Sequence, residues 1–291
     1  MIIKKNVSLA DFSTYLTGGT AEELYFPGTV TEYTSLIRSF IEKETNYYVF
    51  GGGANILFAS NIKRPVVSTL KMDKIIITED GIVTAEAGVI LNDLILATIN
   101  NAYGGLERLS GIPGTVGGAI YMNAGACKSE ISDYLIDVTV VNEKGDIKTL
   151  SKKDCKFGYR SASALTKKHI ISGRWKLGEK QKKTLCDTRK AILKEKALKQ
   201  PLNYPSAGSV FKRPENDYAS RLIDEAHLKG YIIGDAQVSE KHAGFIINLG
   251  NATPEDIIKL IKHCRKEVKR QFRIDLELEQ KIIINDELWT E

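Results

Sequence analysis

The sequence predicts an α+β protein folded as two compact units, and three observations carry this. Two stretches of alternating β-branched residues, KIIITEDGIVTAEAG at 74–88 and LIDVTVVNEKGDIKTLS at 135–151, are each broken by an Xaa-Gly pair, the pattern of an antiparallel hairpin. Between and after them, apolar residues recur at helical spacing. Pro201 and Pro205 then interrupt the chain behind a long helical stretch, and 291 residues exceed what one hydrophobic core usually serves.

In chain order, YYVF at 47–50 is a short apolar strand that runs into Gly51, Gly52 and Gly53. The Asp80-Gly81 hairpin follows, and ILNDLILATINNA at 90–102 reads as a helix. Lys144-Gly145 turns the second hairpin, which makes the middle of the chain largely antiparallel. The densest basic stretch, 176–200, sets lysines among Leu, Ala and Ile, as in a helix near 187–199 with a solvated face. ASRLIDEAHLK at 219–229 predicts a helix that stops at Gly230. Thr253, Pro254 and Asp256 are a cap, a first-turn proline and an acid at the third helical position, opening a helix that reaches about Gln271. Residues 274–284, with polar and apolar residues alternating in the first half, read as a closing strand.

Composition narrows the classes. Apolar residues at 43%, charged residues at 26% and only seven prolines describe an ordered soluble protein rather than a disordered one. Nowhere do eighteen apolar residues run together, and Lys4 and Lys5 lack the apolar run of a signal peptide behind them, so a cytoplasmic protein with no membrane span is expected. A net charge of +5 is too small to mark a nucleic-acid binder but suits anionic small molecules. Cys127, Cys155, Cys186 and Cys264 show no metal-ligand spacing, so free thiols and no metal are expected.

Two glycine clusters, GGGANIL at 51–57 and GIPGTVGGA at 111–119, call for either positive φ or bare backbone, since each ordered glycine costs on the order of 0.5–1 kcal/mol relative to alanine. Neither matches the dinucleotide or Walker fingerprint. Consecutive glycines still let successive backbone N–H groups converge on one anion, and Asn55 and Asn123 offer amide contacts beside them. A clamp on an extended cofactor carrying a pyrophosphate is the reading; two tight turns are the bland alternative.

Taken in order, GGGANIL, GLERLSGIPGTVGGAIYMNAGA, FGYRSA at 157–162, PSAGSVFKRP at 205–214, GDAQVSEKHAGFIIN at 234–248 and LELEQK at 276–281 resemble the motifs of the UDP-N-acetylenolpyruvoylglucosamine reductase (MurB) family, across about 50–284. The resemblance implies a vanillyl-alcohol-oxidase (PCMH)-type FAD-binding domain over 1–198, made of two α+β subdomains (about 1–72 and 73–198), and an α+β substrate-binding domain over 199–291. The short 171–199 segment resembles the subclass without an extra tyrosine-bearing loop. It implies non-covalent FAD held by Gly51, Gly52, Gly53, Ala54, Asn55, Ile56, Leu57, Gly111, Ile112, Pro113, Gly114, Thr115, Gly117, Gly118, Asn123 and Gly125. NADPH would be the reductant, a UDP-sugar the substrate, and the protein a monomer.

The implied reaction reduces an enolpyruvyl ether to a lactyl ether. Negative charge then develops on the enolpyruvyl carboxylate, and a fixed guanidinium stabilises that more than the ground state. Arg160 matches this role, Glu279 matches an acid beside the same carboxylate, protonated or hydrogen-bonded, and Ser209 matches the proton donor to the α-carbon. Lys199, Lys212 and Gln237 lie in motifs that touch the UDP-sugar, and His242 is expected to be structural. Three positions depart from the family's usual residues: Arg213 for Asn, Ser161 for Asp and Gln280 for Val. The rival readings are an FAD-dependent sugar or alcohol oxidase of the same fold, for which Cys127 is the near candidate for a covalent flavin tether, and a binding protein on a relic flavin fold.

Overall fold

Both hairpins form where the Xaa-Gly pairs place them. In the computed structural model, which describes residues 1–290, strands Ile75–Ile77 and Ile82–Glu86 pair antiparallel around Gly81, whose φ of 78° is open to glycine at no steric cost. Strands Leu135–Val141 and Ile147–Ser151 do the same. Strand His169–Lys176 joins the two hairpins into one antiparallel sheet of five. Helices Leu91–Asn100 and Val116–Tyr121 bury Leu91, Leu94, Ile95, Val116 and Ile120 in the core of this unit. Trp175, fully buried, donates its indole N–H to the Ile131 carbonyl at 2.8 Å.

Parallel strands extend the same unit, with Leu24 and Tyr48 both opposite Val66. Helix Val30–Glu42 is capped by Thr29, whose hydroxyl accepts from the Glu32 N–H at 3.1 Å. It buries Tyr33, Leu36, Ile37 and Phe40, one face at helical spacing. Helix Lys182–Lys199 begins five residues earlier than its sequence pattern suggests and buries only Leu185 and Ile192, as a solvated basic helix should.

The second unit is built on helix Pro254–Phe272. Thr253 and Asp256 form its reciprocal capping box, and Ile257, Leu260, Ile261, Cys264 and Val268 pack inward. An antiparallel sheet of Ile232–Ile233, Ala236–Val238 and Ile246–Asn248 belongs to the same unit.

The chain divides into two units between Lys196 and Ala197, and the second also takes in Lys5–Glu23 and Gly53–Lys63. The cause is a parallel pairing of Ile56–Phe58 with Lys281–Ile284, reinforced by Tyr15 and Leu57 in the same core. Helix Ala219–Glu225 ends well short of Gly230: His227 takes φ 59°, its N–H reaches Asp224 O and the Leu228 N–H reaches Ile223 O, a C-terminal lock made without glycine. The closing strand is only Lys281–Ile284, which turns through Asn285 and Asp286, both at positive φ, into Glu287–Trp289. Among the described residues no helix is long and apolar enough to cross a membrane.

Candidate active site

The two glycine clusters touch. A Cβ on Gly51 would fall 2.0 Å from Thr115 Oγ1, and one on Gly52 would fall 3.2 Å from Gly114 Cα. A Cβ on Gly117 would lie 2.8 Å from that of Ala87. At these three glycines the missing side chain lets neighbouring parts of the protein approach closely. Gly118 is different: it is exposed, and its nearest neighbour lies at an ordinary 3.7 Å, so packing does not require its missing side chain.

The strand Tyr48–Phe50 delivers Gly51 to Asn55, and Ile56 and Leu57 continue as the strand paired with Lys281 and Ile282. Gly111, Ile112, Pro113, Gly114 and Thr115 form the loop ahead of helix Val116–Tyr121, in which Gly117 and Gly118 lie. The Val116 and Gly117 N–H groups bond to Val89 O and Ala87 O, so they belong to the fold.

Two buried polar atoms in this region find no partner among the described residues: Thr115 Oγ1 and Asn123 Oδ1. Burying an unpartnered hydroxyl or amide oxygen costs several kcal/mol unless something bonds to it, on the order of 1–3 by mutational measures. A flavin nucleotide, with N–H donors, ring acceptors and phosphates, supplies such partners, so these residues fit FAD. The amide donors are already engaged. Asn123 Nδ2 bonds Glu130 Oε2 at 2.7 Å and Gly158 O at 3.0 Å, and Asn55 Nδ2 bonds Glu279 O at 3.1 Å.

Arg160 occupies the tight turn between strands Phe157–Gly158 and Ser161–Ala162, at φ 51°. Its Nη2 donates to Gly125 O at 3.2 Å and its guanidinium stacks over Tyr159, 5.2 Å from the ring centroid. Gly125, in the short strand Gly125–Ala126, leaves room for both neighbours, since a Cβ there would meet Glu130 Cγ at 2.9 Å and Arg160 Nη1 at 3.5 Å.

In the second unit Ser209 and Glu279 come together. Ser209 bridges Phe245 and Phe211 bridges Leu278, while the Glu279 N–H donates to Val210 O at 2.9 Å. Both side chains are half-buried. Two residues on from Glu279, Lys281 has its ammonium held below its usual range, first by burial and then by the like charge of Lys212.

The expected substrate contacts lie on different elements of the chain. Lys212 ion-pairs with Glu277 and bonds its backbone too, N to Glu277 O at 2.8 Å. Beside it lies an open cavity of about 320 Å³ with Arg213, Glu215, Asp275 and Glu277 on its wall. Arg213 stacks on Tyr218 at 4.4 Å. Gln237 lies in the sheet, its amide on Gly230 O at 3.3 Å, and Lys199 is exposed at the end of its helix. His242 accepts from the Gly244 N–H at 3.1 Å and meets Phe245 edge-on, a structural role.

Two participants were not singled out from sequence. Lys196, part of the basic helix, lays its stem on Gly111, where a Cβ would sit 2.9 Å from its Cδ, and burial pulls its ammonium down. Tyr15 carried no signal at all; it is fully buried and donates to Gln280 Oε1 at 3.0 Å. Gln280 had one: Leu276, Leu278 and Gln280 alternate onto one face, which puts a polar amide on the inward side.

Comparison with known proteins covers most of the chain. A family model of FAD binding domains matches residues 21–151, and one described as UDP-N-acetylenolpyruvoylglucosamine reductase, C-terminal domain, matches 200–283. The UDP-N-acetylenolpyruvoylglucosamine reductase of Clostridium botulinum (strain Alaska E43 / Type E3) is 40% identical over 286 residues, 98% of this chain and 94% of the relative. That of Caldicellulosiruptor saccharolyticus is 39% identical over 283 residues, 96% of this chain and 91% of the relative. The crystal structure of UDP-N-acetylenolpyruvylglucosamine reductase (MurB) from Thermus caldophilus superposes with a TM-score of 0.83 at 32% identity, covering 97% of this chain and 99% of that one.

Proposed function

Because the chain belongs to the UDP-N-acetylenolpyruvoylglucosamine reductase family, we propose that it reduces UDP-N-acetylglucosamine enolpyruvate to UDP-N-acetylmuramate in peptidoglycan precursor synthesis, as a cytoplasmic monomer with NADPH as reductant. The geometric observation that supports this reading best is the bond from Asn55 Nδ2 to Glu279 O. It puts the loop proposed to hold the cofactor one hydrogen bond from the acid proposed to serve the substrate.

The two glycine loops with Thr115 and Asn123 would hold FAD, which when bound would supply hydride chemistry for the enolpyruvyl methylene carbon, with NADPH as the proposed reductant. The double-bond electrons then move toward the α-carbon and its carboxylate. Arg160 is the fixed cation for that carboxylate; its turn and its bond to Gly125 O hold the guanidinium before charge develops, so little reorganisation is needed. Glu279 serves the same carboxylate as a protonated or hydrogen-bonded acid, because a bare anion there would oppose the developing charge. Ser209 gives its hydroxyl proton to the strongly basic α-carbon and regains one from water. Lys199, Lys212 and Gln237 are proposed for the UDP-sugar, Lys212 by exchanging its Glu277 partner for a phosphate.

The test is Arg160→Lys, which keeps the charge and removes the fork. Losing one charge-assisted bond of about 1.4 kcal/mol slows recolouring of reduced flavin by substrate about tenfold, while bleaching by NADPH is unchanged. Equal losses in both half-reactions would assign Arg160 to the flavin instead.

A further inference from the structure

We infer that Gln280 is a positioning residue for Ser209, gripping from inside the protein the loop that carries the hydroxyl; the inference rests on the proposed role of Ser209 as proton donor. Gln280 is 3% exposed. A buried primary amide has two N–H donors and a carbonyl acceptor to satisfy, and leaving any unmet is costly. Here all three are met. Nε2 donates to Ala207 O at 3.0 Å and to Gly208 O at 3.2 Å, the two carbonyls directly before Ser209. Oε1 accepts from the Tyr15 hydroxyl at 3.0 Å.

Tyr15 is itself anchored. It is fully buried, burial raises its pKa so that the phenol stays a neutral donor, and its backbone carbonyl accepts from Asn248 Nδ2 at 2.9 Å. The Asn248 N–H in turn donates to Pro205 O at 2.9 Å. One buried network thus ties down both ends of the 205–208 loop. Gly208, at φ 76°, has no atom of the described residues beyond its own chain neighbours within 4 Å of where a Cβ would stand, so lateral packing does not fix the loop there and the carbonyl bonds do. Beyond Ser209, Val210 is held by Gly244 O and by the Glu279 N–H.

A serine hydroxyl is a poor acid, so its usefulness depends on reach and angle, and a displacement of about 1 Å can cost up to about 10²-fold in rate. Gln280 sits beside Glu279, so the same short segment offers one proposed reacting side chain outward and one brace inward.

The experiment uses the FAD-loaded protein and reads the two half-reactions separately, with flavin content and Tm alongside. Gln280→Leu keeps the volume and removes all three bonds. The inference expects substrate recolouring to slow about tenfold or more, bleaching by NADPH and flavin content to stay at wild-type values, and the slowing to vanish in a Ser209→Ala background. Tyr15→Phe, a milder change, shifts the same half-reaction by a smaller factor and serves should Gln280→Leu fail to fold. Equal slowing of both half-reactions, undiminished slowing on top of Ser209→Ala, or no slowing would overturn the inference. Ser209→Ala leaving recolouring unchanged would overturn the proton-donor reading, and this one with it.

Discussion

Replacing Ser209 by alanine is expected to leave anaerobic flavin bleaching by NADPH at its wild-type rate and to slow recolouring by substrate about 10²-fold or more. Ser209 is half-buried, and its backbone is held through the Phe245 bridge, so removing one oxygen leaves fold and cofactor loops in place. On the proposed mechanism, what is removed is the proton that completes addition across the double bond. Without it the α-carbon must wait for water to reach the same position, and the deficit falls on the substrate half-reaction alone. Stopped-flow absorbance of the flavin under nitrogen separates the two steps. Unchanged recolouring would take Ser209 out of the chemistry.

Gly53→Ala is expected to lower stability by at least about 3 kcal/mol, adding the cost of left-handed backbone to that of a backbone overlap. Gly53 has φ 64°, and a Cβ built on it would fall 1.7 Å from Phe12 O. Because that obstacle is backbone, relief requires moving either the loop or the Phe12 segment. The second option strains the bond from the Thr14 N–H to Gly53 O, 3.2 Å long. Urea unfolding of the variant should show a lower midpoint and lost flavin retention. Gly178→Ala is the control: among the described residues nothing beyond its chain neighbours stands within 4 Å of its Cβ position, so its stability should stay within about 0.5 kcal/mol of wild type. A stable, yellow Gly53→Ala protein would contradict the packing described for this loop.

Local signals were legible and distant ones were not. The hairpins at Asp80-Gly81 and Lys144-Gly145 and the capped helix at Thr253 are fixed by a few adjacent residues, so spacing alone reveals them. The early end of helix Ala219–Glu225 was hidden because His227, not glycine, takes the left-handed position. The parallel pairing of Ile56–Phe58 with Lys281–Ile284 joins segments more than two hundred residues apart, and no local pattern announces which strand a strand will meet.

The candidate site divides the same way. Its glycine loops, Arg160, Ser209 and Glu279 stand in motifs that can be read along the chain. The partners that hold them cannot: Thr115 facing Gly51, Lys196 on Gly111 and Tyr15 on Gln280 all depend on tertiary packing. Nor does sequence reveal that a Cβ on Gly51, Gly52 or Gly117 would crowd protein atoms brought there by packing.

The central claim is that this chain moves hydride from NADPH through a bound flavin to an enolpyruvyl UDP-sugar. It is tested most directly by following the purified yellow protein without oxygen. The account predicts that NADPH bleaches the flavin and that stoichiometric UDP-N-acetylglucosamine enolpyruvate then restores the colour. Colour restored only by admitting oxygen would contradict it and assign the chain to oxidase chemistry.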